Sequence, residues 1–330
     1  MRVGVLGGGA WGTVLATLAA GRGHDVALWE FDPRDAAALT HIRSSARTVP
    51  DFRLPDAVAV TNDVSTAVRG RELVVVVVPS ETVRAALVAA RAAFEPGAVV
   101  VCASKGLEPE TRLTMAGVIG EILPSARVAL LSGPSFAQEI AAGLPAALVS
   151  ASTDARANEA VVAALGSERF RIYRSDDVTG VAVGGALKNV IAIAVGCCDG
   201  FGFGLNARAA LMTRGLAEMS RLAVKMGAHP LTLSGLAGFG DLVLTCTGEL
   251  SRNRQVGLAL ARGETVPAIV ASLGHVAEGI GTARTARALA DELGVELPIT
   301  RAVASVLYDG QTARDAVTQL LARDPRTERV

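Results

Sequence analysis

Lysine and arginine together number 32 in this chain, and only three of them are lysine: Lys105, Lys188 and Lys225. Arg serves wherever a cation has only to be positive or soluble. A position that stays Lys is a candidate for chemistry that Arg cannot do, because Lys gives up its proton when its surroundings lower its pKa and Arg does not. Lys225, in Arg-Leu-Ala-Val-Lys-Met, fits a solvated helix face. Lys188 lies in Gly-Gly-Ala-Leu-Lys-Asn-Val, inside a long apolar stretch. An unpaired ammonium there is costly, so a partner is expected. Lys105 follows an apolar run in Ala-Ser-Lys-Gly-Leu.

A second constellation opens the chain. Gly7-Gly8-Gly9-Ala10-Trp11-Gly12 fits G-x-G-x-x-G, follows a β-branched run and precedes a helical pattern. In that context the spacing predicts a dinucleotide phosphate turn. Gly7 permits the tight turn, Gly9 admits the pyrophosphate, and Gly12 lets the helix pack close to the sheet. The helix start then offers unpaired N–H groups to the phosphates. Glu30, about 20 positions on, is placed to accept from a ribose 2′-OH, which favours NAD. The alternative for Glu30 is to point to solvent. Arg34 nearby keeps NADP open. Two further strand ends, Val78-Pro79-Ser80 and Ala103-Ser104-Lys105-Gly106, are expected to face the same ligand, because such sheets bind at their carboxyl ends.

The elements that must position these residues are legible from periodicity. Arg2–Leu6, Asp25–Trp29, Leu73–Val78, Ala98–Cys102 and Arg127–Leu131 read as strands, with further short ones at Ala146–Ser150 and Phe170–Tyr173. The five consecutive valines Val74 to Val78 carry no polar alternation, so that strand is buried on both faces, as in a parallel sheet covered by helices. Strand and helix alternate, which implies a doubly wound α/β domain. After about Asp177 helical periodicities take over: Val178–Val195, Asn206–Met226, Thr232–Leu236, Arg254–Ala261, Val266–Leu273, Thr282–Leu293, Thr300–Leu307 and Ala313–Leu321. The expected organisation is an α/β domain over 1–177 and an all-helical domain over 178–330. Two domains also suit a length of 330 residues.

Composition narrows the function. Formal net charge is zero and aromatics are 4%, which argues against a nucleic-acid surface. Cys102, Cys197, Cys198 and Cys246 lack zinc spacing, and the adjacent pair reads as small apolar packing. His24, His41, His229 and His275 stand apart without Cys or carboxylates at motif spacing, so no metal is expected. The N-terminus reads as a strand entering a turn, not as a signal peptide. The stretch Val178 to Cys198 is broken by Gly184, Gly185, Lys188 and Asn189 and reads as a buried helix rather than a membrane span. A cytoplasmic location is expected.

Taken in order, several segments resemble bacterial NAD(P)-dependent sn-glycerol-3-phosphate dehydrogenase. They are Gly-Gly-Gly-Ala-Trp-Gly-Thr at 7–13, Ala-Ser-Lys-Gly-Leu-Glu at 103–108 and Ser-Gly-Pro-Ser-Phe-Ala at 132–137. Further along come Gly-Gly-Ala-Leu-Lys-Asn-Val-Ile-Ala-Ile at 184–193, Asp-Gly-Phe-Gly-Phe-Gly-Leu-Asn-Ala-Arg at 199–208 and Gly-Asp-Leu-Val-Leu-Thr-Cys-Thr at 240–247. Ser-Arg-Asn-Arg at 251–254 and Val-Ala-Glu-Gly at 276–279 complete the set. The resemblance implies a Rossmann domain followed by a helical domain, NAD or NADP as cofactor, and homodimers. It implies sn-glycerol 3-phosphate and dihydroxyacetone phosphate as substrates, and a role in supplying glycerol phosphate for phospholipids.

By the same resemblance Lys188 is the proton acceptor. Lys105, Gly133, Ser135, Asp241, Ser251, Arg252 and Asn253 contact substrate, with Asn189 and Thr245 near it. Ala10, Trp11, Phe31, Lys105, Ala137, Arg252, Val276 and Glu278 contact cofactor. Phe31 departs from the cation common at that position, which puts the usual NADPH preference in question. Ser251 has a second reading as a helix N-cap, and Asp241, flanked by Gly, has one as a turn or cap residue.

In the implied chemistry Lys188 takes the hydroxyl proton while hydride leaves carbon. Burial and Lys105 are expected to lower its pKa and Asp241 to raise it, leaving it nearer working pH than a free lysine. Arg252 offers the substrate phosphate a bidentate fork. Two other readings remain open on the residues alone. One is a hydroxyacid or 6-phosphogluconate type of dehydrogenase with a Lys-Asn pair, which Lys105 and Ser-Arg-Asn-Arg disfavour. The other is an NAD-binding sensor without turnover, which Lys188, Asn189, Asp241 and Arg252 disfavour.

Overall fold

A computed structural model describes residues 1–273 and 277–322. The chain forms two compact units. One comprises Met1–Lys105 and Leu113–Val178, the other Gly106–Arg112 and the chain from Thr179 onward.

The first unit is built on an eight-stranded sheet of order β3-β2-β1-β4-β5-β6-β7-β8. The strands are β1 (Arg2–Leu6), β2 (Asp25–Trp29), β3 (Val58–Thr61), β4 (Leu73–Val76), β5 (Val99–Cys102), β6 (Arg127–Ser132), β7 (Ala146–Ala151) and β8 (Phe170–Ser175). Neighbours run parallel except β6 and β7, which pair antiparallel through Leu131 and Ser150. The order reverses at β1, between β2 and β4, where open α/β sheets bind ligands. Val74, Val75 and Val76 are fully buried, as their unbroken apolar run requires. That strand ends at Val76, two residues short of the valine run, and the chain bends at Val78. The periodicity misses β3. It is four residues long, lies at the sheet edge and is half exposed, so little apolar signal marks it.

The second unit is helical. Its central helix, Val178–Gly200, is long and apolar enough to cross a bilayer, yet 94% of its most apolar window is buried inside the protein. It is the core helix of this unit. Val183, Leu187, Ile191, Val195, Met219 and Leu242 share that core. Around it run Gly204–Lys225, Asp241–Thr247, Arg252–Ala261, Glu278–Leu293, Pro298–Tyr308 and Ala313–Leu321. Local rules set the ends of these helices. Ser251 Oγ accepts from Arg254 N–H, Pro298 starts its helix at the first position, and Gly294 closes another in the left-handed region.

Candidate active site

The glycine turn after β1 has the shape a dinucleotide phosphate needs. Gly7 has φ +127°, and a Cβ there would come within 3.0 Å of the Val77 carbonyl. A Cβ on Gly12 would sit 1.8 Å from the Gly7 carbonyl, so only glycine lets the helix Ala10–Gly21 start this close to the strand. Gly9 is different. A Cβ there would meet nothing within 4 Å, and no side chain caps the helix it precedes. This open space in front of a helix N-terminus fits an incoming pyrophosphate. Ala10 and Trp11 form the first helical turn, and the Trp11 ring packs on Phe170 at 6.2 Å.

Glu30 does not point to solvent, and it does not present a free carboxylate. It is 2% exposed. Its Oε2 accepts from Gly8 N–H at 3.0 Å, and its Oε1 accepts from Asp32 N–H at 3.0 Å and Arg47 Nη1 at 3.1 Å. The acidic residue of the fingerprint therefore braces the glycine turn from below. Phe31, next along, is 75% exposed, with its ring edge-on to Trp29.

Three of the expected substrate contacts meet in the first unit. Gly133, at the end of β6, has φ +135°, and its carbonyl accepts from Lys105 Nζ at 3.1 Å and from Ser135 Oγ at 2.9 Å. Ala137, which starts the short helix Ala137–Ala141, packs against the core of this unit.

The second unit gathers another group. Lys188 and Asn189 lie side by side in the core helix and are 7% and 5% exposed. Lys188 Nζ donates to Asp241 Oδ1 at 2.5 Å and to Thr245 Oγ1 at 2.8 Å. Thr245 Oγ1 donates in turn to the Asp241 carbonyl at 2.7 Å. Asp241 is not a turn residue. It begins the helix Asp241–Thr247, after the π-helical turn Leu236–Gly240, and is 1% exposed. The partner expected for a buried Lys188 is thus an acid one helix away. Asn189 Oδ1 accepts from Asn253 Nδ2 at 2.9 Å, and Asn253 Oδ1 accepts from Gly279 N–H at 2.9 Å.

Ser251 caps the helix Arg252–Ala261, its Oγ accepting from Arg254 N–H at 3.2 Å. Arg252 opens that helix with an exposed side chain. Surrounding protein lowers its pKa and the Glu278 carboxylate opposes this; a guanidinium stays protonated through either. Val276 lies outside the described residues.

Two supports of this group carry no motif signal. Asp199, at the end of the core helix, accepts from Arg208 Nε and Arg254 Nε, each at 2.8 Å, and so ties three helices together beside Asn253. Gly257 lets the helix Arg252–Ala261 cross the core helix in close contact, since a Cβ there would sit 2.0 Å from the Ile193 carbonyl. Asp199 opens Asp-Gly-Phe-Gly-Phe at 199–203, but nothing in the linear spacing pairs it with Arg254. The four cysteines are free and buried. Burial pushes the thiols of Cys197 and Cys246 up to about 12, which leaves them inert.

A glycine cradle at the switch point of a parallel sheet, joined in one chain to a helical unit with a buried Lys–Asp pair, defines a nicotinamide-dinucleotide oxidoreductase. Comparison with known proteins gives the particular family. Residues 2–158 match the model of the NAD-dependent glycerol-3-phosphate dehydrogenase N-terminus, and residues 177–318 match that of its C-terminus. The chain belongs to the NAD-dependent glycerol-3-phosphate dehydrogenase family. It is 50% identical to the glycerol-3-phosphate dehydrogenase [NAD(P)+] of Anaeromyxobacter sp. (strain K) over 334 residues, covering 99% of this chain and 100% of that one. Identity to the Geobacter metallireducens protein of the same name is 48%, with 99% of each chain covered. The crystal structure of glycerol-3-phosphate dehydrogenase from Coxiella burnetii matches with a TM-score of 0.94 at 36% identity, over 98% of this chain and 99% of that chain.

Proposed function

We propose that this chain interconverts sn-glycerol 3-phosphate and dihydroxyacetone phosphate with NAD or NADP, and that Lys188 is its general acid and base. The observation that carries the reading is the buried Lys188, held by Asp241 and Thr245 in a unit with no second lysine but the distant Lys225. In the oxidation, neutral Lys188 takes the hydroxyl proton, the C–H electron pair leaves as hydride, and the C=O bond forms. The bound nicotinamide supplies the hydride acceptor. In the reduction, the Lys188 ammonium donates the proton to the ketone oxygen. The Asp241 carboxylate favours the ammonium form, so the resting site is ready to donate. Thr245 and Asp241 fix where Nζ points, as general acid–base catalysis requires.

Arg252 suits the substrate phosphate as a bidentate fork, and Ser251 and Asn253 are assigned hydrogen bonds to the same substrate. Lys105, Gly133 and Ser135 are assigned to substrate, and Asn189 to a position near it. Gly7, Gly9, Ala10, Trp11, Gly12, Phe31, Lys105, Ala137, Arg252, Val276 and Glu278 are assigned to cofactor. In this reading residues 1–177 bind NAD(P), and residues 178–330 bind substrate and carry the proton chemistry. The protein acts as a cytoplasmic homodimer that supplies glycerol 3-phosphate for phospholipid synthesis.

The test is NAD(P)H absorbance with purified protein and dihydroxyacetone phosphate, set against unphosphorylated dihydroxyacetone. Oxidation with the phosphorylated ketone alone supports both the reaction and the phosphate site. Equal rates with both ketones, or none with either, would reject the substrate assignment.

A further inference from the structure

Asp199 is the penultimate residue of the core helix Val178–Gly200, at the end where the helix dipole disfavours a carboxylate. Its side chain is 7% exposed, and two arginines compensate it. Oδ1 accepts from Arg208 Nε at 2.8 Å. Oδ2 accepts from both Nε and Nη2 of Arg254, each at 2.8 Å. Asp199 stands eleven residues after Lys188, about three turns along the same face of that helix. The buried thiol of Cys246 feels the charges of both ion pairs, Lys188 with Asp241 and Asp199 with Arg254.

Arg254 is held at a helix crossing. The helix Arg252–Ala261 meets the core helix at two glycines: a Cβ on Gly196 would sit 2.2 Å from the Arg254 carbonyl, and one on Gly257 would sit 2.0 Å from the Ile193 carbonyl. A crossing without side chains brings the backbones close, but it has no interlocking ridges to fix how one helix is turned about its axis. The pairing of Asp199 with Arg254 supplies that fix at the crossing itself. One residue before Arg254, Asn253 donates to Asn189 Oδ1 at 2.9 Å and accepts from Gly279 N–H at 2.9 Å. One residue earlier again, Arg252 carries an exposed side chain.

We infer that Asp199 is a positioning residue for substrate binding: through Arg254 it sets the rotation of the helix Arg252–Ala261, and so aims Arg252 and Asn253 at the phosphorylated substrate. The inference rests on the substrate reading above and deepens it. Asp199 neutralises Arg208 and Arg254, and Arg252 is the cation of this helix start assigned to the phosphate. Lys188 is held separately, by Asp241 and Thr245 on another helix, so loosening Arg254 leaves the proton step in place. Arg208 reaches the same carboxylate from the helix Gly204–Lys225, which carries no residue assigned to substrate.

Steady-state kinetics with dihydroxyacetone phosphate and NAD(P)H test it. Asp199→Asn and, separately, Arg254→Gln should raise the KM for dihydroxyacetone phosphate about tenfold or more, the scale of one hydrogen bond to a charged group. The kcat should stay within about threefold, since binding and not the chemical step is affected. The double variant should raise KM no further than the worse single one, because both changes break one contact. Arg208→Gln is the control. It removes the other half of the same buried network without touching the helix that carries Arg252, so it should lower the unfolding midpoint and leave KM within about twofold. Should Asp199→Asn fail to fold, Arg254→Gln set against Arg208→Gln carries the comparison. A KM that moves equally in Arg208→Gln and Arg254→Gln, or in neither, would reduce Asp199 to a structural tie and overturn the assignment. The unaltered protein separates this from the parent reading. No turnover of dihydroxyacetone phosphate would overturn both, whereas turnover with an unmoved KM in the variants would overturn the role of Asp199 alone.

Discussion

Asp241 holds Lys188 by two routes: its carboxylate takes Nζ directly at 2.5 Å, and its own carbonyl orients Thr245, whose hydroxyl oxygen accepts from the same ammonium at 2.8 Å. One residue thus fixes both the charge and the direction of the lysine.

That geometry makes Lys188→Arg a sharp test. The positive charge and the pairing to Asp241 are kept, but a guanidinium accepts no proton at working pH. Turnover should fall by roughly 100-fold to 10,000-fold, the range for loss of a positioned acid–base group. Steady-state kinetics in both directions, with thermal unfolding to verify the fold, would check this. Retained turnover would remove Lys188 from the mechanism.

Thr245→Val keeps shape and removes the hydroxyl. Lys188 loses one acceptor and the Asp241 carbonyl loses a donor in a buried site. The expected loss is about 1–3 kcal/mol of stability, with kcat lowered more than KM because Nζ is less well aimed. A rise in KM with unchanged kcat would mean that Thr245 serves binding alone.

Arg252→Ala separates phosphate binding from chemistry. The Michaelis constant for dihydroxyacetone phosphate should rise far more than that for the cofactor. Equal increases would count against a phosphate clamp.

The glycine turn yields a paired prediction. Gly9 has φ −74° and open space where a Cβ would sit, so Gly9→Ala should leave the unfolding midpoint unchanged and weaken cofactor binding. Gly12→Ala places a Cβ 1.8 Å from the Gly7 carbonyl and must push the helix off the strand. It should destabilise the free protein by about 1–3 kcal/mol or more, as overpacking does. Calorimetric unfolding with and without cofactor distinguishes the two. The same behaviour from both variants would contradict the cradle.

Glu218 gives a pH dependence unrelated to catalysis. It is 2% exposed and accepts from Ile299 N–H, Thr300 N–H and Thr300 Oγ1 at the start of the helix Pro298–Tyr308. Burial outweighs those three donors and pushes its pKa up from 4.5 to about 7. The folded protein therefore holds a proton here that the unfolded chain releases between those values. Stability contributed by this group is full below about pH 4.5 and is lost as pH rises to about 7, a difference of roughly 3 kcal/mol. Glu218→Gln should flatten that part of the profile. Urea midpoints at pH 5 and pH 8, compared between the two proteins, measure it, and an unchanged slope in the variant would reject it.

Much of this protein was legible before folding. The unbroken valine run, the glycine spacing and the change of period after Asp177 are local signals, because apolar periodicity and glycine placement act within a few residues of chain. They sufficed for the buried parallel sheet, the glycine turn and the helical second half. The scarcity of lysine singled out Lys188, since burying an ammonium demands a partner. Which acid would meet it was not local. Asp241 lies 53 residues away and reads in isolation as a turn residue. Only the packing of its helix against the core helix makes it the counter-charge. Glu30 shows the converse. Its position matches a ribose ligand, yet the tertiary structure turns its carboxylate under Gly8 and brings Arg47 from a separate loop to meet it. Sequence determined which residues have the chemistry, because side-chain type and short-range spacing are written there. Tertiary structure decided which of them meet, because ion pairs and hydrogen bonds are set by distances across the fold that no linear spacing encodes.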